Sequence, residues 1–323
     1  MYSLAPFLIT LLPLAAAAPT SHGDISVIWR HEKGSSAKSL QVWNGDETVL
    51  LGQACSDKVD DGNFAKEPIS FDVDADGSGT VTYGSSNYKV HSKPDHSGGI
   101  VCSKMYNGDF AKVVCSIPSK GTSYTSIPTN VTEDCFSESS IHFPKHYGFP
   151  KSEPVTKKSK RTDAPPACTV FQSTSMIADG NPHQNYWDSQ LSGPISCGAA
   201  VQCTVGQEDS QSFSVGWSAD LVATEWISGG FSVDESWETG NEYQCTAGTG
   251  ETVCIWYGTA HTAYTVQNNY DTTCNEDSTG GPFVMYSPNA NNAGGVSYYC
   301  VVGPCSYKGA GYWDKSGPAG GPP

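Results

Sequence analysis

Lys160-Arg161 is the only Lys-Arg or Arg-Arg pair in the chain, preceded by Lys157-Lys158 and followed by the Pro-rich stretch TDAPPAC. Exposed, loosely folded segments are where proteases cut, so a dibasic-specific protease is expected to cleave after Arg161. A second group, Asp72-Val73-Asp74-Ala75-Asp76-Gly77, opens like a calcium loop, with carboxylates at alternate positions and a glycine at the sharp turn. Tyr83 stands where such a loop needs a bidentate Glu, and strand-like residues flank it. An acidic hairpin tip therefore accounts for Asp72, Asp74 and Asp76 better than a metal site does.

Hydrolase signatures are missing: neither GxSxG nor HExxH occurs. Beyond Arg161 the only histidines are His183 and His261, and His261 sits in the strand-like AHTAYTVQ with no adjacent nucleophile or acid. A structural His is the expectation there. A carboxylate pair of the glycosidase kind would leave no local motif, because such pairs assemble across strands.

The twelve cysteines divide evenly around the basic pair. Cys55, Cys102, Cys115 and Cys135 precede it; Cys168, Cys197, Cys203, Cys245, Cys254, Cys274, Cys300 and Cys305 follow. No CxxC or zinc-like spacing occurs, so disulfides closed within each half, in an oxidising compartment, are expected. Spacing leaves the pairings open. Asn130, in Asn130-Val131-Thr132, is the one N-glycosylation sequon.

Charge separates the same two parts. Residues 1–161 hold 16 Lys+Arg against 17 Asp+Glu, a net of −1; residues 162–323 hold 2 against 16, a net of −14. From Thr162 to Tyr307 there is no Lys or Arg. A surface so poor in cations has little with which to neutralise phosphates, so nucleic acid, anionic lipid and nucleotide cofactors are poor partners. No cofactor is expected.

Stepping along the chain, residues 1–18 read as a secretory signal: uncharged, apolar, then small residues. No later stretch is apolar for long enough to anchor the product in a membrane. Residues 19–118 alternate short Val/Ile/Tyr/Trp-rich runs (ISVIW, SLQVW, TVLLG, ISFDV, TVTYG, NYKVH, IVCSKMY, FAKVVCSI) with Asp-Gly and Ser-Gly turns. Residues 119–161, rich in Ser, Thr, Pro and Lys, read as a disordered linker. Strand signals resume over 162–306, in SQSFSVGWSADL, GFSVDESW, VCIWYGTAHTAYTVQ and GGVSYYCVVGPC, before a Gly/Pro-rich tail at 307–323. The expected fold is all-β: two small, sandwich-like antiparallel domains, each stapled by disulfides and joined by a cleavable linker.

For recognition, the second half offers Tyr186, Trp187, Trp226, Trp256 and Tyr257, able to bury large area if they face outward and otherwise filling a core. The alternation of Phe213, Val215, Trp217, Ala219 and Leu221 with Ser, Gly and Asp also fits a pore-forming β-hairpin of the aerolysin type, as well as an ordinary one-sided strand.

The layout as a whole, with its signal, β-rich first half ending in HSGGIVCSKMYNGDFAKVVCSIP, Lys-Arg junction and cysteine-rich second half, resembles secreted effector-like proteins of ascomycete fungi. The resemblance implies processing by a kexin-type protease and action outside the cell on a host or competitor protein or glycan. It carries over no catalytic residue. A secreted polysaccharide hydrolase and a β-pore-forming toxin are the alternatives.

Overall fold

In a computed structural model the described residues are 23–119, 123–128, 134–136, 142–144, 170–177, 183–206, 214–216, 236–238, 243–273, 278–289, 292 and 294–314. The first part forms β1 (Ile25–Glu32), β2 (Lys38–Asn44), β3 (Leu50–Ala54), β4 (Lys58–Val59), β5 (Ile69–Val73), β6 (Gly79–Tyr83), β7 (Ser86–Lys89), β8 (Val101–Tyr106) and β9 (Phe110–Ile117). The second forms β10 (Val170–Met176), β11 (His183–Gln190), β12 (Ile195–Ser196), β13 (Gln202–Val205), β14 (Ser214–Gly216), β15 (Ser236–Glu238) and β16 (Cys245–Gly248). It continues with β17 (Thr252–Thr272), β18 (Ser278–Thr279), β19 (Phe283–Pro288), β20 (Ser297–Val302) and β21 (Gly311–Asp314). Every pairing is antiparallel, and among the described residues helix is limited to one short turn at Pro94–Ser97 and a 3-10 turn at Gly62–Phe64.

The fold is all-β and disulfide-stapled, but its main sheet is not confined to either half. Its path runs β21-β11-β17-β20-β8-β9-β1-β2-β3, with β10, β12, β18 and β19 also pairing with β17. The seam is β8 against β20, where Tyr106 lies opposite Cys300, Met105 opposite Val301 and Lys104 opposite Val302. The separate domains expected from charge and cysteine count are thus joined by backbone hydrogen bonds. Local alternation specifies each strand but not which distant strand it meets.

Alternation sorts the residues of this sheet onto two faces. On one face of the first half, Ile25, Val27, Trp29, Leu40, Val42, Val113 and Ile117 pack against Val59, Ile69, Phe71, Val81 and Tyr83 of the small sheet β4-β5-β6-β7. Farther along the same face, Val253, Ile255, Cys300 and Val302 are covered by the two-stranded sheet β13-β16 through Val205, Cys245 and Ala247. The opposite face carries a cluster drawn from both halves, Met105 and Phe110 with Trp256, Tyr299 and Val301, flanked by Phe143 and Tyr312, and farther along β17 a smaller one of Tyr264, Val266 and Met285.

Two stretches depart from their expected disorder. Within 119–161, Tyr124 is buried with its hydroxyl 2.8 Å from that of Tyr83, and its ring stacks on Phe64. Ile127 donates its backbone N–H to Leu50, and Cys135 is bonded to Cys55. A few widely spaced aromatics, too sparse to make a core of their own, dock into sites the body provides. Likewise Gly311–Asp314 leaves the Gly/Pro tail to pair with β11, placing Trp313 opposite Trp187.

Among the described residues there are five disulfides: Cys55–Cys135, Cys102–Cys115, Cys197–Cys203, Cys245–Cys300 and Cys254–Cys305. Each lies wholly on one side of Lys160-Arg161. Cys168 and Cys274 lie outside the described residues, as do residues 1–22, Asn130, Lys160, Arg161, Trp226 and the chain beyond Asp314. No described helix is long and apolar enough to cross a membrane.

Asn107 fixes the seam. Its buried side chain accepts the backbone N–H groups of Asp109 and Phe110, shaping the β8–β9 turn, and donates to the carbonyls of Val296 and Tyr298 at 3.2 and 3.1 Å. Asn107→Ala is expected to lower the unfolding free energy of the intact chain by about 2–4 kcal/mol, since it strands buried donors and acceptors. Urea denaturation measures this, and a change below about 0.5 kcal/mol, the range of ordinary surface substitutions, would contradict the assigned role.

Candidate functional site

The sequence of β11, HQNYWDSQ, is unusually polar for a strand paired on both edges, with β17 on one side and β21 on the other. Its alternation puts Tyr186, Asp188 and Gln190 on the face of the mixed cluster and His183, Asn185, Trp187 and Ser189 on the other. Both faces are covered, so its polar residues are taken out of water: Asp188 is 0% exposed and Asn185 1%.

Asp188 is the centre of a dry acid cluster. The Tyr299 hydroxyl of β20 donates to its Oδ1 at 2.8 Å. On β21, Tyr312 lies directly opposite Asp188, and Asp314 opposite Tyr186, which places the second carboxylate diagonally across the same face. Asp314 is 1% exposed.

The remaining members come from the first half. His142 Nε2 lies 3.3 Å from Asp314 Oδ2, and its ring stacks on Tyr186 with centroids 3.5 Å apart and planes 5° from parallel. Phe143 meets Phe110 edge-on at 5.5 Å and carries the Arg30 guanidinium 5.9 Å above its ring. Lys112, on the same face of β9, donates to the Pro144 carbonyl at 2.6 Å. The segment His142–Pro144 thus seals Asp188 and Asp314 from solvent.

Electrostatics follow from that seal. Burial pushes the Asp188 carboxyl from 3.8 to about 7, and the neighbouring Asp314 adds to the rise; hydrogen bonding by Tyr299 and Tyr312 and the charge of Lys112 oppose it. The Tyr299 phenol is raised well above its ordinary value by burial and by Asp188. Asp188 therefore holds its proton close to neutrality, where an ordinary aspartate is ionised. Such a pair has the residue types of a carboxylate active site, but the burial of both residues closes it to any substrate in this form.

The aromatic residues nominated from sequence fall mostly in the core. Tyr186, Trp256 and Tyr257 are buried; burial also drives the Tyr257 phenol up to about 12. Trp187 is half-buried, beside Trp313 at 5.2 Å, and Trp313 stacks on Tyr286 at 4.2 Å and meets His261 edge-on at 4.9 Å. His261 is buried, and desolvation pulls its imidazole down to about 4, leaving it neutral. Trp313 lies in the expected Gly/Pro-rich tail, where the GYWD motif is its only sequence signal.

The Asp72–Asp76 stretch is a hairpin tip between β5 and β6. Asp74 accepts the backbone N–H groups of Asp76 and Ser78 at 2.9 Å each, and Asp76 is paired with Lys33. Among the described residues, no group of three or more His, Cys, Asp or Glu is placed to hold a metal ion.

The acid cluster predicts a specific pH dependence of stability. Below about pH 4 Asp188 is protonated whether folded or not and contributes no slope. Between about 4 and 7 the unfolded chain releases this proton and the folded chain keeps it, so stability falls with pH; above 7 the loss is complete, on the order of 4 kcal/mol. Asp188→Asn, which still accepts the Tyr299 hydroxyl, is expected to remove this contribution. Urea unfolding of both forms from pH 4 to 8 measures it, and a difference between them that does not vary with pH would contradict the assignment.

No known family model, curated protein or solved structure matches the chain.

Proposed function

We propose that the chain is a secreted, toxin-like effector precursor, cut after Arg161 by a kexin-type protease, whose first half completes the sheet of the second. The acidic second half then acts outside the producing cell, as a non-enzymatic ligand of a host or competitor protein or glycan. The pairing of β8 with β20 carries this reading. It gives the first half a physical task, covering an edge strand that would otherwise offer unpaired N–H and C=O groups to any passing chain.

Other features support the same reading. The five disulfides among the described residues suit an oxidising, extracellular destination. None of them crosses the junction, so the cut leaves two pieces held by non-covalent contacts. For recognition, the half-buried Trp187 and Trp313 are better placed than the core residues Tyr186, Trp256 and Tyr257.

A second reading has one observation in its favour. The two Ser-alternating stretches pair with one another, Ser214 opposite Glu238, Val215 opposite Trp237 and Gly216 opposite Ser236, as the arms of a membrane-inserting hairpin must. Release of a trapped dye from phosphatidylcholine vesicles by the cut protein, and by no uncut chain, would favour this pore reading over the ligand reading.

The leading reading makes the second half dependent on the first. Residues 162–323 produced alone are expected to unfold at a lower urea concentration than in the joined protein, and residues 19–161 supplied in trans at pH 5 to restore the difference. Only cut protein is expected to harm plant, fungal or bacterial cells. An unfolding midpoint of 162–323 that is the same with and without residues 19–161, or turnover of a polysaccharide lost in Asp314→Asn, would overturn it.

A further inference from the structure

The acid cluster straddles the two pieces that the cut would create. Asp188, Tyr299, Tyr312 and Asp314 stand in the second half; Lys112 and His142 reach them from the first. We propose that the cut protein holds together in acid and comes apart as the pH rises through neutrality, with the Asp188–Asp314 cluster as a proton-controlled latch between the two pieces. This inference rests on the processing and shared-sheet reading above.

The geometry makes separation and ionisation the same event. While the pieces are joined, His142–Pro144 lies over the cluster and water is excluded, so an ionised Asp188 would sit unhydrated beside Asp314. When they part, His142, Phe143, Pro144 and Lys112 leave with the first half and solvent reaches the carboxylate. Asp188 then ionises at little cost, as an ordinary aspartate does. The joined form thus carries a proton that the separated form lacks near neutrality, and raising the pH favours separation.

Each charged or titratable group facing Asp188 can be assigned a direction. From β20, Tyr299 donates to it; from β21, Tyr312 also stabilises the anion and Asp314 opposes it; from β9, Lys112 favours the anion but does not prevail over burial. Tyr186, the neighbour on β11, remains an un-ionised phenol, raised by burial and Asp314. His142 forms an ion pair with Asp314 only when its imidazole is protonated. Arg30 lies farther out, over Phe143.

Contacts outside the cluster also set the strength of the joined state, and one of them, His91 Nε2 at 3.0 Å from the Thr249 carbonyl, involves a titratable ring, so the Asp188→Asn comparison isolates the cluster's share. Tyr106 donates its hydroxyl to the Thr246 carbonyl at 2.7 Å, and Asn107 bridges to Val296 and Tyr298. Burial holds the Tyr106 phenol above its ordinary value, far from neutrality.

The test uses the full chain cut at Arg161 with a kexin-type protease, without reducing agent. The dissociation constant of the two products is read by analytical ultracentrifugation at pH 5, 6, 7 and 8. It is expected to rise toward tenfold per unit from pH 5 to 7 and then level off, about 100-fold in all. Asp188→Asn is expected to lose most of that rise. Tyr299→Phe, which removes a donor to the anion, is expected to keep it and extend it to higher pH.

An equal dissociation constant at pH 5 and 8, or an undiminished rise in Asp188→Asn together with no displacement in Tyr299→Phe, overturns the latch while leaving the shared sheet standing. Products that fail to associate at pH 5, or a chain that is not cut at Arg161, overturn the processing reading and the latch with it.

Discussion

The pairing of β8 with β20 is the constraint on which the rest of the structure depends. It is short, with three residues in register on each strand, but it closes one sheet across two stretches of chain of very different charge. Because of it, Met105 and Phe110 share a core with Trp256, Tyr299 and Val301, and Asn107 can reach the carbonyls of Val296 and Tyr298. Without it, β20 would be an edge strand beside the long β17, and the face carrying Asp188 would lose most of its cover.

The acid cluster is a consequence of that arrangement. Several of the buried polar side chains of β11 find partners outside the strand: Tyr299 for Asp188, Asn289 for Gln184, and the Ser192 carbonyl for Gln190. Burying Asp188 close to Asp314 carries an electrostatic cost that a purely structural strand would avoid with an apolar residue. The cost is contained by keeping Asp188 protonated, and this containment depends on His142–Pro144 remaining in place. Stability, proton binding and the association of the two halves are therefore linked at one carboxyl group.

Much of the fold was legible in the sequence where the signal is local. The runs at ISVIW, SLQVW, ISFDV, TVTYG and FAKVVCSI coincide with β1, β2, β5, β6 and β9 because alternation and turn residues act within a few positions. The acidic stretch at Asp72–Asp76 reads as a hairpin tip for the same reason. What was not legible is non-local. Nothing near Lys104 or Val302 announces that they face one another, and the sparse aromatics Tyr124 and Phe143 gave a linker composition although each docks in a prepared site. Asp188 and Asp314 leave no motif because strand register, not spacing in sequence, brings them together.

The account is tested most directly by amide hydrogen exchange in the intact protein at Val101–Tyr106 and Ser297–Val302. If the two strands share one sheet, their amides are protected to a similar degree and lose protection together as urea is added, in a single opening that exposes both halves. Rapid exchange at Ser297–Val302 while Val101–Tyr106 stays protected, or two openings at distinct urea concentrations, would show that the halves fold as separate bodies and would contradict the account.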